Sequence, residues 1–406
     1  MTASLRYGTD DTLELNLPEG RLIAVCGTRI ENPLTDVRAA TAASLAAPIG
    51  FPPLARAVVP GDRVVLALDH DVPRGAEIVG ALFDCLVESG VAPADITLLT
   101  VQPSDASTEL RSLLPSEHRT VATLAIHDAA ARDSLGYLAV GSDDEPIYLN
   151  RLLCEADVVV PIGCLRCEPA IDYHGMYGGL FPTFSGKQAQ DKLFAASLTH
   201  APSDEARNRE KIQEVGWLLG VQFTVQVVPG PAGEVLRVLA GMANDVFREG
   251  QESCQRAWSS PVPHTAQLVI AAIDGPTSEQ TWDNLARALS GASRVVSAGG
   301  AIALCTSLAE APGPTVRVAS EAKDLRHALR TLGKHRDAGS LAAVALAQAL
   351  AELRVYLMSQ LDDATVEELG LIPLANPAEL KRLAATNASC ILISHAQYAV
   401  ATVDGQ

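Results

Sequence analysis

Short runs rich in β-branched and aliphatic residues alternate along the chain with longer segments whose apolar residues recur every three or four positions. Buried parallel strands read as near-continuous apolar runs and the crossover helices between them as amphipathic, so the alternation predicts βαβ units. The strand candidates are RLIAVCG (21–27), DRVVLAL (62–68), DITLLT (95–100), ADVVVPIG (156–163), FTVQVVP (223–229), AQLVIAA (266–272), GAIALCT (300–306) and CILIS (390–394). Helical spacing marks 76–90, 281–292, 340–361 and 377–386. In the first of these, Ile78, Leu82 and Cys85 share a face, with Val79, Phe83 and Leu86 beside them. Gly90 stands where a left-handed residue would end that helix.

The stretch SCQRAWSSPVPHT (253–265) puts small polar residues and two prolines between a helical segment and a fresh strand, as a domain boundary does. The expected fold is therefore α/β in two domains, 1–259 and 260–406, each with a mostly parallel sheet flanked by helices. Ligands of such pairs sit in the crevice between domains, near the carboxyl ends of strands.

Composition narrows the function. A net charge of −17 repels a phosphate backbone, so nucleic acid is excluded as the main partner. No apolar run reaches the roughly 18–20 residues of a membrane span, and the first residues lack a charged-then-apolar signal pattern. The expectation is a cytoplasmic protein that stays off membranes. Eight cysteines in 406 residues are too sparse for a disulfide scaffold. Cys26, Cys85, Cys154, Cys305 and Cys390 sit in or beside apolar runs and read as small buried hydrophobes.

Three segments carry candidate chemistry. In LALDHDVPRG (66–75) an apolar strand runs straight into Asp69, His70 and Asp71, which would face a crevice; equally, Asp69 could cap the helix near Arg74 and leave His70 solvated. In IGCLRCEPAIDYHGMYGGLFPTFSGK (162–187), Cys164, Cys167, Glu168, Asp172, Tyr173 and His174 lie close together, followed by glycines that let backbone approach a ligand. Two thiolates two residues apart, with His174, suit a metal, but a single Cys-x-x-Cys fits ordinary thiols as well. In DGPTSEQTWDNLARALSG (274–291), Asn284 and Arg287 share a helix face. An arginine fork there would grip a carboxylate, unless it is a plain surface residue. Dinucleotide, P-loop and α/β-hydrolase motifs are absent from the sequence.

The order of these features resembles the nickel-pincer lactate racemase family. APIGFPPLARAV (47–58), a strand and DHDVP (69–73) are similar to the family's N-P-I-G segment and its strand ending in D-H-T-R-P-V-P. LLCEADVVVPIG (152–163) is similar to A-E-A-D-L-L-I-S-E-G, and DGPTSEQTWDNLAR (274–287) to the segment bearing a D-Q-x-x-x-Q-A-V-K helix. The resemblance implies a two-domain fold and a racemase or epimerase of small 2-hydroxy acids. That family's cofactor is a nickel pincer nucleotide held on a lysine, with two histidines exchanging the hydroxyl proton.

The catalytic motifs depart from the family pattern. Its first catalytic histidine falls on Pro103 or Ser104, the second on Glu168, the pincer lysine near Gly178 and a nickel histidine near Phe194. The carboxylate-binding arginine falls on Val72, two residues from Arg74, while Lys187 and Lys192 remain in the lysine's loop, Lys187 within a small gap of its place. The cofactor is thus open and the covalent pincer nucleotide is not expected. The leading expectation is a divergent enzyme acting on a small anionic metabolite, with Asp69, His70, Glu168 and His174 as catalytic groups and Arg74, Asn284 and Arg287 on the substrate. A non-catalytic binding or regulatory homologue, and a metal enzyme built on Cys164, Cys167, Glu168 and His174, are the alternatives.

Overall fold

The computed structural model of the chain describes residues 2–27, 32–101, 116, 122–168, 171, 175–197, 202–321 and 339–404. The apolar run Val64–Leu68 is buried at every position, as a strand covered on both faces must be. It sits inside a six-stranded sheet with the spatial order Val235–Met242, Phe223–Pro229, Val158–Cys164, Val64–Leu68, Ile96–Thr100, Thr123–Ile126. Neighbours are parallel except at one edge, where Val235–Met242 runs antiparallel to Phe223–Pro229. The chain lays strands outward on one side of Val64–Leu68, then returns to the other side with Val158–Cys164. The strand order therefore reverses between these two, which is where open α/β sheets bind ligands.

A second six-stranded sheet is parallel throughout, in the order Ile372–Pro373, Arg354–Met358, Val296–Cys305, Ala266–Ala272, Cys390–Ile393, Leu22–Cys26. Its order reverses between Ala266–Ala272 and Cys390–Ile393. Leu22–Cys26, which the chain order places with the N-terminal part, instead completes the far edge of this sheet. The preceding hairpin of Thr2–Tyr7 and Asp11–Asn16 packs Leu5, Leu13 and Leu15 on the same core as Leu268, Ile270 and Leu392. An apolar run encodes burial, not its partner, and the exposed ladder of Cys390–Ile393 captured this one.

Two other boundaries move. The helical pattern expected over 340–361 stops at Leu350, and Arg354–Met358 is a strand beside Val296–Cys305. The Val-Tyr-Leu run there has β-forming residues and a buried ladder to join. The stretch 253–265 is not an open linker: the helix Ala243–Trp258 fills its start, and Ser259–Val262 pairs with Val400–Val403.

Local capping follows the chemistry of the residues present. The helix Gly75–Glu88 ends as expected at Gly90, which adopts φ 95° while the Val91 amide returns to the Leu86 carbonyl. Thr281 caps the helix Trp282–Ser293 by accepting from the Asn284 amide. Among the described residues no helix is long and apolar enough to cross a membrane.

Candidate functional site

Two segments leave the first sheet at its reversal: Asp69, His70 and Asp71 after Val64–Leu68, and Leu165 and Arg166 after Val158–Cys164. The Asp69 amide donates to the Ile162 carbonyl of the neighbouring strand at 3.0 Å, which fixes where the polar segment begins. Asp69 Oδ1 accepts from the His70 amide at 2.9 Å and from His70 Nδ1 at 2.8 Å. It therefore orients the imidazole and does not cap the helix, whose N-cap is Arg74 with no side-chain bond. The Asp69 charge raises the His70 pKa to about 9 against the opposing effect of burial, with the hydrogen bond from Asp69 and the charge of Asp71 adding to the rise. At neutral pH His70 is an imidazolium, a proton donor.

Asp71 occupies the next position in a left-handed conformation, φ 57°. Its Oδ2 lies 3.0 Å from Arg287 Nη1, 3.7 Å from Arg166 Nη2 and 3.9 Å from His70 Nε2. Burial alone would raise its pKa, but Arg287, His70 and Arg166 outweigh it and hold the carboxyl well below the usual range. Asp71 stays ionised.

Arg287 is set from the second sheet's side. Its side chain is 5% exposed, and Nη1 also donates to Asn284 Oδ1 at 2.7 Å. Asn284 Nδ2 in turn donates to the Glu279 carbonyl and to Glu279 Oε2, which also accepts from the Tyr398 hydroxyl at 2.9 Å. Burial raises the pKa of both Glu279 and Tyr398, so the phenol remains a neutral donor. Arg166 completes the arrangement with its guanidinium 5.9 Å from the centroid of the Tyr398 ring.

Asp69, His70, Cys164, Arg166 and Arg287 line one cleft, partly open to solvent, together with Gly178 and Gly179. Of the groups expected to share a crevice, His70 and Arg287 line this one, beside Asp69. Asn284 lies behind Arg287 and positions it without lining the cleft. Arg74 is not in the cleft: it reaches outward to Glu77 and Glu234 because its left-handed backbone turns it from the strand end. Glu168 pairs with Arg209 at 3.3 Å and is also outside the lining. Lys187 opens the helix Lys187–Ser197 and is ion-paired with Asp191 one turn on. Cys164 and Cys167 face different places, the cleft and a separate cavity of about 420 Å³. Burial pushes their thiols up to about 12 and about 11, so both stay protonated. His174, Asp172, Tyr173, Pro103 and Ser104 lie outside the described residues.

Two features went unread in the sequence. Arg166 stands between two more conspicuous cysteines, and its signal was position: the first charged residue after a strand at the reversal. Asp274 and His395 end the strands flanking the second sheet's reversal, and Asp274 Oδ1 accepts from His395 Nδ1.

Residues 7–203 match the lactate racemase N-terminal domain family. This part of the chain is similar to a lactate racemase N-terminal domain. The fold of the whole chain is similar to that of the lactate racemase apoprotein from Thermoanaerobacterium thermosaccharolyticum, with a TM-score of 0.82 over 99% of this chain and 100% of that one at 15% identity. A structural genomics target from Thermotoga maritima is similar at a TM-score of 0.67 and 14% identity, over 92% and 99% of the two chains. At such identity the likeness concerns the fold alone. No curated protein matches the chain in sequence.

The lactate racemase-like fold raises the question of the pincer nucleotide. The described residues around the cleft do not fit it: Gly178 stands near the expected lysine position, the Lys187 amine is tied to Asp191, and no three His, Cys, Asp or Glu side chains among the described residues converge as metal ligands. No step is derived through that group.

Proposed function

We propose that this protein is a divergent lactate racemase-type isomerase that binds a small 2-hydroxy acid, or a related anionic metabolite, in the cleft. The observation that carries the reading is the meeting of a carboxylate-oriented imidazolium with two buried arginines around one point. A planar guanidinium pair suits a carboxylate. His70 Nε2, 3.9 Å from the oxygen the arginines share, is within reach of a substituent on the adjacent carbon. As an imidazolium it would donate a hydrogen bond to an oxygen there, and Asp69 would fix the ring's orientation and stabilise its charge. A catalytic cycle needs a second group, for which His174 and the Asp274–His395 pair are the candidates in this chain.

The test is chiral chromatography of single enantiomers of lactate and larger 2-hydroxy acids after incubation with the protein, beside binding by calorimetry. We expect conversion that Asn at position 70 (His70→Asn) abolishes. Arg287→Ala should weaken binding by about 2–5 kcal/mol, the usual cost of removing one partner of a buried charge pair. Unchanged binding in Arg287→Ala would refute the site. A second reading, a non-catalytic binding or regulatory protein, is favoured by one observation: the Asp71 carboxylate already sits on the arginines. Binding without conversion would select it.

A further inference from the structure

We propose that Asp71 is an internal stand-in for the ligand's carboxylate, occupying the Arg166–Arg287 site until an incoming carboxylate displaces it. This rests on the reading of the cleft as an anion site and adds how that site is gated and what chemical group opens it.

The geometry separates fixed parts from a movable one. The arginine side chains are 5% and 10% exposed and come from two different sheets' sides of the cleft, whereas that of Asp71 is 40% exposed. Arg287 is braced by Asn284, and Arg166 lies over Tyr398. Among the described residues Asp71 has no brace beyond the cations it meets, and its backbone sits at φ 57°, a region that costs residues with a side chain. Two guanidinium groups this buried require an anion, because an uncompensated buried charge is strongly unfavourable. The chain offers two carboxylates: Glu279, held in place by Asn284 and the Tyr398 hydroxyl, and Asp71, on a turn at the rim with its side chain 40% exposed.

The internal carboxylate does not use every donor. Arg166 Nη1 is buried and has no hydrogen-bond partner among the described residues. A ligand bearing a carboxylate and an adjacent oxygen could satisfy it as Asp71 does not. Small 2-hydroxy and 2-oxo carboxylic acids are the class with this pattern, which acetate lacks.

Displacement has a measurable consequence: when only a fraction of molecules has the site open, apparent affinity falls by that fraction. Asp71→Asn is nearly isosteric and removes the charge. Asp71→Gly removes the side chain and accepts the left-handed backbone, so one variant should keep the fold if the other does not. Calorimetric titration of wild type and both variants with sodium acetate and with (R)- and (S)-lactate should give at least roughly tenfold tighter carboxylate binding in the variants. Adding Arg166→Ala to Asp71→Asn should cancel the gain.

The outcomes are distinct. Tighter acetate and lactate binding supports the stand-in and the site together. Tighter acetate binding with no preference for lactate keeps the stand-in and overturns the 2-hydroxy acid reading. Lactate binding by wild type that is unchanged or weaker in both variants overturns the stand-in and leaves the 2-hydroxy acid reading standing. No carboxylate binding by any form overturns both.

Discussion

His70 meets one carboxylate at Nδ1 and another near Nε2, and the two do different work. Asp69 accepts a hydrogen bond and makes the larger contribution to the raised pKa; Asp71 adds charge while also neutralising arginines. A raised histidine pKa stabilises the fold fully below the ordinary value, about 6.5, and that contribution is lost as pH rises through about 9. The depressed Asp71 works the other way: its contribution is present above the ordinary value, about 3.9, and is lost as pH falls through its lower folded value. The cluster should thus be tightest between about pH 4 and 6.5. Imidazole NMR of His70 should report a midpoint above 8, and Asp69→Asn should move it down toward the ordinary range. A wild-type midpoint near 6.5 would contradict the ion pair with Asp69. The sequence made Asp69, His70 and Arg287 legible because each carries a position rule, a strand end or a helix face. Arg74 obeyed the same rule and failed, because two left-handed residues turn the chain between Asp71 and Arg74 and no local pattern announces them.

At the scale of elements, the cleft depends on how closely the glycine-rich segment 175–186 packs on the end of Val64–Leu68. A Cβ added at Gly179 would lie 2.5 Å from Asp69 Oδ2 and 2.9 Å from its Cγ, nearer than real atoms approach. Gly179→Ala must therefore push Asp69 or the loop aside. We expect a loss of about 1–3 kcal/mol in urea unfolding, as for other overpacking changes. The His70 titration should also fall, since Asp69 can no longer sit against Nδ1. An unaltered titration in a destabilised variant would mean that the loop yields and the dyad does not. The helix Trp282–Ser293 makes the matching contribution from the other side. Its Thr281 cap and the Asn284 bridge are local and readable, but that its buried face holds Arg287 over the first sheet's strand ends is not.

At the scale of the molecule, the Asp71–Arg287 contact joins the strand ends of the first sheet to the helix Trp282–Ser293 that packs on the second. We propose that the two sheets belong to two domains divided near Trp258, with residues 2–27 counted with the second. Trp258 is fully buried, donates Nε1 to the Pro229 carbonyl at 2.9 Å, and packs on Tyr398 and His395 with ring centroids 5.3 and 5.8 Å away. It ties the end of Phe223–Pro229 to the segment after Cys390–Ile393. Trp258→Ala should cost about 3–5 kcal/mol in chemical denaturation. Carboxylate affinity should fall with it, because Tyr398 loses the surface that holds it beneath Arg166. A variant with native stability would show that the contact is not a structural tie.

The sequence by itself determined the eight strands read from apolar runs, the Gly90 helix end and the polar residues at strand ends, since burial periodicity and turn residues act within a few positions of the chain. It also carried the lactate racemase resemblance over 47–73 and 152–163, which lie within the N-terminal domain match, while the fold of the whole chain is similar to a lactate racemase apoprotein. Tertiary structure alone decided which ladder captured Leu22–Cys26, that Arg354–Met358 became a strand, and that Arg166 and not Arg74 faces Arg287. Strand pairing and charge convergence are set between residues far apart in sequence, 216 positions for Asp71 and Arg287, where hydrogen bonds and Coulomb energy depend on distance in space and not along the chain.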